Sequence, residues 1–338
     1  MSEPVTIGPV TIGIVMYPNA QLSAVYGLTD LFASANRIAM ENGLQTVEPL
    51  RVSRWHVVSE SNRVEELDES SDRHRHHFTP LTVAIVPPNL ESRGEEEPEA
   101  VLLEWLKMQN ACGAVICSIC TAAFILARTG LLKGRPATTH WALKDAFAAK
   151  FPDIRVQTDR MLIEDGDVIT AGGVTAWIDL GLHLIDRFLG PSVMLKVAQL
   201  FLVDPKGREQ KTYSQFSPSF HHGDAEILTV QHWLQVHYSK SISVADMASV
   251  AVLGERTFLR RFKKATGMRP IVYLQTLRVG KAREMLEFSQ LSFGEIAAKV
   301  GYEDPGAFRK VFQRSIGLQP SEYRRRFAVS RGERSRMR

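Results

Sequence analysis

The stretch GYEDPGAFRKVFQRSIGLQPSEYRRRF, residues 301–327, decides the fold of the C-terminal third of this 338-residue chain. It contains a phenylalanine pair at i and i+4, followed by a glycine, a proline and a tyrosine, and the same pattern stands fifty positions earlier. The two sets are Phe258, Phe262, Gly267, Pro270 and Tyr273, and Phe308, Phe312, Gly317, Pro320 and Tyr323. A fixed internal period of this kind indicates one supersecondary unit that is present twice.

Each copy of this unit predicts two helices joined by a tight turn. The short first helix contains Met247-Ala248 in one copy and Ile296-Ala297 in the other. The second helix places its phenylalanine pair on one face and ends at a glycine, which suits a C-terminal cap. Helix, turn and helix form the shape that places its second helix in a DNA major groove.

The outward faces of the two second helices fit this use. With the phenylalanines inside, seven residues point outward and are predicted to contact DNA: Arg256, Leu259, Arg260 and Lys263 in the first copy, and Gly306, Arg309 and Lys310 in the second. Arginine suits guanine edges, and lysine suits phosphates or guanine. One basic helix face alone is ordinary for a surface helix, but two in register favour nucleic-acid binding.

The segment between the two units predicts a long helix over Pro270–Phe288, whose candidate core positions are Leu274, Leu277, Ala282 and Leu286. A helix of this length spans roughly 27 Å, and successive major grooves on one face of DNA lie about 34 Å apart.

The turns of the two helix-turn-helix copies differ, because Val252 occupies in the first the position of Gly301 in the second. The first turn is therefore expected to be strained or differently shaped.

The distribution of charge separates the chain into two parts. Residues 224–338 contain 21 Lys/Arg and 11 Asp/Glu, a net +10, whereas the whole chain carries +4 and the remainder therefore −6. A basic part attached to an acidic part indicates a nucleic-acid module joined to another domain. Three cysteines without framework spacing argue against a secreted disulfide protein. A cytoplasmic protein without a membrane span is expected.

The preceding residues alternate between buried strands and helices. Apolar runs predict strands at Val10–Met16, Leu81–Val86, Ala114–Cys117 and Val168–Ala171, with helices between them. This alternation predicts an α/β domain whose mostly parallel sheet is covered by helices on both faces. The predicted domains are residues 1–203, a linker at 204–224, and an all-α double helix-turn-helix domain at 225–330.

The turn after the third predicted strand contains the candidate site of the α/β domain. Cys120 lies between strand and helix, flanked by small residues. A nucleophile elbow needs such a turn, and a helix N-terminus lowers a thiol pKa. The alternative interpretation, an inert buried cysteine, is common. No metal or cofactor is predicted.

Two family resemblances extend these interpretations. The C-terminal hundred residues resemble the AraC/XylS family of transcription regulators. TAAFILARTGLLKGRPATTHWALKDAFAAKFP (121–152) and TAGGVTAWIDLGLHLIDRFLG (170–190) resemble the sensor half of GlxA-type regulators. That half is similar to the PfpI-like branch of the class I glutamine amidotransferases, which implies a flavodoxin-like sheet. The superfamily site falls on Cys120, Asp30 in GLTDLF and His140 in TTHW, the predicted ligand-binding residues.

Three departures from the superfamily pattern argue against catalysis. Ala122 replaces the glycine two residues after the elbow, and no histidine follows Cys120 directly. Pro87-Pro88 replaces the glycines after the second predicted strand, and proline has no N–H for an oxyanion hole. The prediction is a DNA-binding regulator rather than an enzyme. Its expected role is activation, and its expected partners are double-stranded DNA, RNA polymerase, a small-molecule effector and a second copy in a homodimer. The alternatives are a cysteine-dependent amidase or hydrolase fused to a DNA-binding domain, and a constitutive architectural DNA binder.

Overall fold

The structure, a computed structural model, divides into two compact units, Met1–Gln210 and Lys211–Arg338. It describes residues 9–41, 48–58, 62–67, 74–75, 79–91, 94, 97–205, 208–216 and 218–329, with only the backbone at 74–75. The division between the units falls within residues 204–224, the segment predicted as a linker. In the described part of the chain, no helix is long and apolar enough to cross a membrane.

The first unit contains an eight-stranded sheet and a separate parallel pair. The strands are β1 (Val10–Met16), β2 (Leu50–Val58), β3 (Arg63–Leu67), β4 (His74–Arg75), β5 (Val83–Val86), β6 (Val115–Ile119), β7 (Pro136–Ala137), β8 (Arg155–Val156), β9 (Leu162–Asp165) and β10 (Val168–Ala171). Their order in the sheet is β4-β3-β2-β1-β5-β6-β10-β9, and β7 pairs with β8.

The centre of this sheet is parallel throughout, and its edges are antiparallel. The five strands β2-β1-β5-β6-β10 run parallel in the flavodoxin-like order. The predicted fold class of this domain is confirmed. The antiparallel strands β3, β4 and β9 were not predicted. They are short and polar, so they lack the continuous apolar runs that identify buried strands.

Helices cover both faces of the sheet. They are α1 (Leu22–Glu41), α2 (Ala100–Ala111), α3 (Ala122–Arg128), α4 (Lys144–Lys150), α5 (Trp177–Leu189) and α6 (Pro191–Leu200). One apolar core joins the sheet to α1, α5 and α6, and the other joins it to α2, α3 and α4. The sequence patterns predicted a helix that ends at Leu189, as α5 does, but did not predict α6. The break falls at Gly190, whose φ of 83° requires a glycine, and Pro191 then begins α6.

The second unit is all-α. Its helices are α7 (Ala225–His237), α8 (Val244–Val250), α9 (Glu255–Thr266), α10 (Pro270–Phe288), α11 (Phe293–Lys299), α12 (Pro305–Ile316) and α13 (Pro320–Phe327). The predicted bounds of α10 are confirmed, and its four predicted core positions are buried. The helix contributes its first half to a core with α7–α9 and its second half to a core with α11–α13.

Helix capping explains why both repeats fold alike. Ser243 and Ser292 each form a capping box at the start of the first helix of their repeat, α8 and α11 respectively. Gly267 and Gly317 both end the second helix in the left-handed conformation, as predicted. The Asp304 carboxylate caps α12 by accepting hydrogen bonds from two backbone N–H groups, whereas Gly254 before α9 provides no side-chain cap.

The segment predicted as a linker is in part built into the two units. Gln210 and Thr212 belong to a short 3-10 helix and are only 2% and 6% exposed. The Thr212 hydroxyl donates to the Ile316 carbonyl at 2.9 Å. Polar composition suggested an exposed segment, but these polar side chains satisfy their hydrogen bonds inside the protein.

Candidate functional site

The second helices of the two repeats, α9 and α12, present the residues predicted to contact DNA. All seven predicted residues are exposed and lie on the faces opposite the buried phenylalanine pairs. They occupy positions i, i+3, i+4 and i+7 on α9 and i, i+3 and i+4 on α12, and each set forms one stripe along its helix. The predicted orientation is therefore confirmed, while contact with DNA by these side chains stays a prediction.

The α9 face contains three cationic side chains and Leu259. Among the described residues, the side chains of Arg256, Arg260 and Lys263 form no hydrogen bond or ion pair. Arg261 differs, because its guanidinium binds Asp224, the N-cap of α7, with distances of 2.9 and 2.7 Å. This pairing holds the pKa of Asp224 below its usual range. Arg261 thus fixes α9 against the start of α7 and is not part of the outward face.

The α12 face contains an arginine that the protein holds in place. The Arg309 guanidinium lies 5.7 Å from the ring centroid of Phe293, the first residue of α11. Phe293 in turn stacks on Phe308 with 5.4 Å between centroids and 5° between planes. A cation within about 6 Å of a ring face is attracted to it. The side chain of Arg309 is therefore oriented before any DNA binds.

One exposed residue of the α12 face was missed at the sequence level. Gln313 stands at the position of Lys263 in the repeat and is exposed. Its side-chain oxygen accepts a 2.8 Å hydrogen bond from the amide of Gln319. The fifty-residue repeat itself points to Gln313, but an uncharged side chain carries no basic signal in the sequence.

In the first unit, Cys120 occupies the predicted elbow. It follows β6 with a φ of 57°, the left-handed conformation that is uncommon for a residue with a side chain. Its backbone N–H donates to Ala171 at 2.7 Å, and its carbonyl accepts from the Thr139 hydroxyl at 2.8 Å. These bonds tie the elbow to the end of β10 and to the loop after β7.

The predicted low thiol pKa is wrong. Cys120 is only 3% exposed, and burial raises the pKa of its thiol to about 11, outweighing the opposite effect of the Thr121 and Gly173 backbone N–H groups. Because the thiolate is the reactive form, a thiol that stays protonated at neutral pH is a poor nucleophile. The helix N-terminus does not offset the loss of hydration.

The three predicted ligand residues lie in different environments and share no hydrogen bond among the described residues. Asp30 is exposed, because the buried face of α1 contains its neighbours Leu28 and Leu31. Among the described residues, no hydrogen bond joins Asp30 to the buried Cys120. His140 is partly buried, its Nδ1 caps a short 3-10 helix by accepting from Ala142, and burial lowers its pKa. The position of Asp30 after the first strand does not by itself determine which side of α1 the residue occupies.

A cavity of about 210 Å³ lies beside the elbow, where β1, β5 and β6 end. Its lining includes Tyr17, Asn89 and Thr121, which follow these strands, and apolar Leu102 and Phe124; it does not include Cys120, Asp30 or His140. The Thr121 hydroxyl accepts from the Asn89 N–H at 2.9 Å and donates to the Asn89 carbonyl at 3.0 Å. Open α/β sheets bind ligands at this edge, where the strand order reverses.

Gln210, the last residue of the first unit, is hydrogen-bonded to the loop after β7, which also contacts the Cys120 elbow. Its amide nitrogen donates to the Thr138 hydroxyl at 3.0 Å and to the Thr139 carbonyl at 2.9 Å. Its oxygen accepts from the Trp141 N–H at 3.0 Å. Thr139 also donates to the Cys120 carbonyl, so one residue, Thr139, links the elbow by hydrogen bonds to the end of the unit.

Comparisons with known proteins agree with both units. Residues 247–326 match the model of a helix-turn-helix domain, and residues 92–187 match that of the DJ-1/PfpI family. The HTH-type transcriptional regulator CdhR of Pseudomonas aeruginosa is 27% identical over 294 residues, 83% of this chain and 87% of its own. The HTH-type transcriptional regulator GlxA of Rhizobium meliloti is 27% identical over 225 residues, 65% of this chain and 68% of its own.

An enzyme is also similar, though to a smaller part of the chain. The isonitrile hydratase of Pseudomonas putida is 26% identical over 180 residues, 53% of this chain and 72% of its own. CdhR and GbdR of Pseudomonas aeruginosa, which align with 83% and 94% of this chain, are both named as HTH-type transcriptional regulators.

The chain is therefore a regulator that joins a DJ-1/PfpI domain to an AraC-type helix-turn-helix domain, the GlxA-type architecture that its sequence resembles. It is a DNA-binding transcriptional regulator, and the comparisons do not favour the amidase alternative.

Proposed function

We propose that this regulator reads one DNA site with α9 and α12 placed in successive major grooves. The observation that carries the proposal is the pair of exposed faces at matching positions of the repeat. The 19-residue helix α10 packs into both cores and joins them. Such a helix is about 28 Å long, close to the ~34 Å between grooves. The net +10 charge of residues 224–338 supplies the attraction to phosphates.

The proposed base readers are Arg260 and Arg309, and the other outward residues of α9 and α12 add base or phosphate contacts. In a binding assay with the full chain and a DNA site selected from its own genome, affinity should fall steeply with salt. Either Arg→Ala variant should lose about 1–3 kcal/mol on that site and relax the preference at a few base pairs. Equal losses on specific and random DNA would show phosphate contact instead of base reading.

We further propose that the first unit senses a small molecule in the cytoplasm and forms a homodimer, and that the regulator activates transcription with RNA polymerase. The resemblance to AraC-type regulators supports activation. The 210 Å³ cavity lies below the ~300–1,000 Å³ of drug-sized pockets, which favours a compact effector. The protonated thiol of Cys120 supports sensing over turnover, and Gln210 provides a route from the elbow to the end of the unit.

A promoter reporter in cells tests this sensing role. Cys120→Ser preserves size and polarity and should shift the effector response only modestly, whereas Cys120→Trp overfills the buried elbow and should abolish it. Gln210→Leu removes the link to Thr139 and should uncouple the response while DNA affinity is retained. Amide hydrolysis by the purified wild type that disappears in Cys120→Ser, together with a lost response, would refute the sensing role.

A further inference from the structure

We infer that α12 reads an adenine through Gln313, next to a guanine read by Arg309, and that the two halves of the DNA site differ in sequence. This inference rests on the proposed reading of DNA by α9 and α12. It adds one specificity-determining residue, Gln313, and one positioning residue, Gln319.

The position of Gln313 places it among the outward residues of α12. It follows Arg309 by four residues and Gly306 by seven, which are one and two helical turns. The stripe formed by Gly306, Arg309 and Lys310 therefore continues through Gln313. The same place on α9 is occupied by Lys263, which is also exposed.

The hydrogen bond from Gln319 leaves the amide of Gln313 able to read a base. A side-chain amide has two lone pairs on oxygen and two N–H donors. Gln319 occupies one lone pair at 2.8 Å, so the second lone pair and both donors remain available. Adenine presents an N6 donor and an N7 acceptor in the major groove, and a glutamine amide matches both. Gln319 thus restrains the amide plane of Gln313 and leaves one oxygen lone pair and both N–H donors for a base.

The two readers of α12 are both held before binding, Arg309 by Phe293 and Gln313 by Gln319. Holding a side chain reduces the entropy lost when it binds. The matching residues on α9 are Leu259 and Lys263. An apolar side chain suits a thymine methyl, and lysine suits guanine or phosphate. Because the paired positions have different chemistry, the two half-sites cannot be repeats of one sequence.

Selection of binding sites from a randomised duplex library tests this inference with the full chain. The wild type should select an adenine within one or two base pairs of the guanine that Arg309→Ala no longer selects. Gln313→Ala should lose that adenine preference, with about a 5- to 100-fold weaker binding to the wild-type site. Gln319→Ala should weaken the same preference less and leave the melting temperature unchanged. Lys263→Ala, the matched control on α9, should leave the adenine preference intact.

The outcomes separate this inference from the function on which it rests. A wild type that selects no sequence would refute the proposed reading of DNA. Sequence selection that is unchanged in Gln313→Ala, or that weakens equally at every base pair, would refute only the reading of adenine by Gln313. Loss of the adenine preference in Lys263→Ala would assign that base pair to α9 and also overturn the inference.

Discussion

The two helix-turn-helix units share one core pattern but differ in their turns. Val252 and Gly301 occupy the same turn position, and both are left-handed, with φ of 53° and 86°. Val252 is 90% exposed, whereas a Cβ added at Gly301 would lie 2.4 Å from the Ser239 carbonyl oxygen. The first turn therefore tolerates a strained side chain that projects into solvent, and the second has no room for one. The two turns therefore share a backbone shape and differ in the space available for a side chain.

The second turn is crowded because an arginine fixes its neighbour. Arg278 on α10 donates to the Tyr238 carbonyl at 2.8 Å and to the Lys240 carbonyl at 2.7 Å. These bonds fix the chain after α7, including Ser239, against Gly301. Among the described residues, the turn at Val252 in the first repeat has no equivalent arginine contact. The repeated sequence determines the helix-turn-helix fold of each copy, while the neighbouring residues decide which side chains fit at each position.

The largest expected effect is that of Gly301→Ala. A left-handed alanine costs about 1–2 kcal/mol, and forcing its Cβ against the Ser239 carbonyl adds about 1–3 kcal/mol. The free energy of unfolding of residues 211–338, measured by urea titration, should fall by about 2–5 kcal/mol.

Two control substitutions isolate the crowding. Gly267 has a φ of 72° with no atom within 4 Å of an added Cβ, so Gly267→Ala should show only the conformational cost. Val252→Gly relieves the left-handed valine and should raise stability by up to about 1 kcal/mol. Equal losses in Gly301→Ala and Gly267→Ala would contradict the proposed difference between the two turns.

A smaller effect concerns Tyr273 and Tyr323, which occupy the same position in the two repeats. Tyr323 accepts from Arg283 at 2.8 Å and donates to Glu287, whereas Tyr273 accepts from Gln231 at 3.2 Å. Burial, with the hydrogen bond to Glu287, raises the pKa of Tyr323 to about 12; burial also raises the pKa of Tyr273.

These pKa shifts predict a loss of stability at high pH. An unfolded tyrosine titrates near pH 10. The folded state binds the proton of Tyr323 more tightly, so its stabilisation is present below pH ~10 and is lost as the pH rises towards 12. Tyr323→Phe should lower the free energy of unfolding at pH 8 by about 1–3 kcal/mol and reduce this alkaline loss. Tyr273→Phe, the matched control, should lose about 1 kcal/mol. The urea midpoints of residues 211–338, measured between pH 8 and 11, report the stability of both variants. If the midpoint of Tyr323→Phe falls with pH as steeply as that of the wild type, Tyr323 is not the source of the alkaline loss.

The sequence by itself determined the repeated helical unit, the bounds of α10, the parallel centre of the sheet and the outward direction of the seven basic-face positions. These features depend on periodicity, capping and local turn chemistry, which act between residues close together in the chain. The apolar strands β1 and β10 were therefore placed to the residue, and Cys120 was placed in its turn.

Only the tertiary structure decided the features that depend on contacts between distant residues. It showed that Asp30 faces solvent, that burial keeps the Cys120 thiol protonated, and that Gln210 is a buried part of the first unit. It also showed Gln319 holding Gln313 and Arg309 lying over Phe293. Hydration, dielectric environment and side-chain neighbours are set by packing across the fold, and no local pattern in the chain contains them.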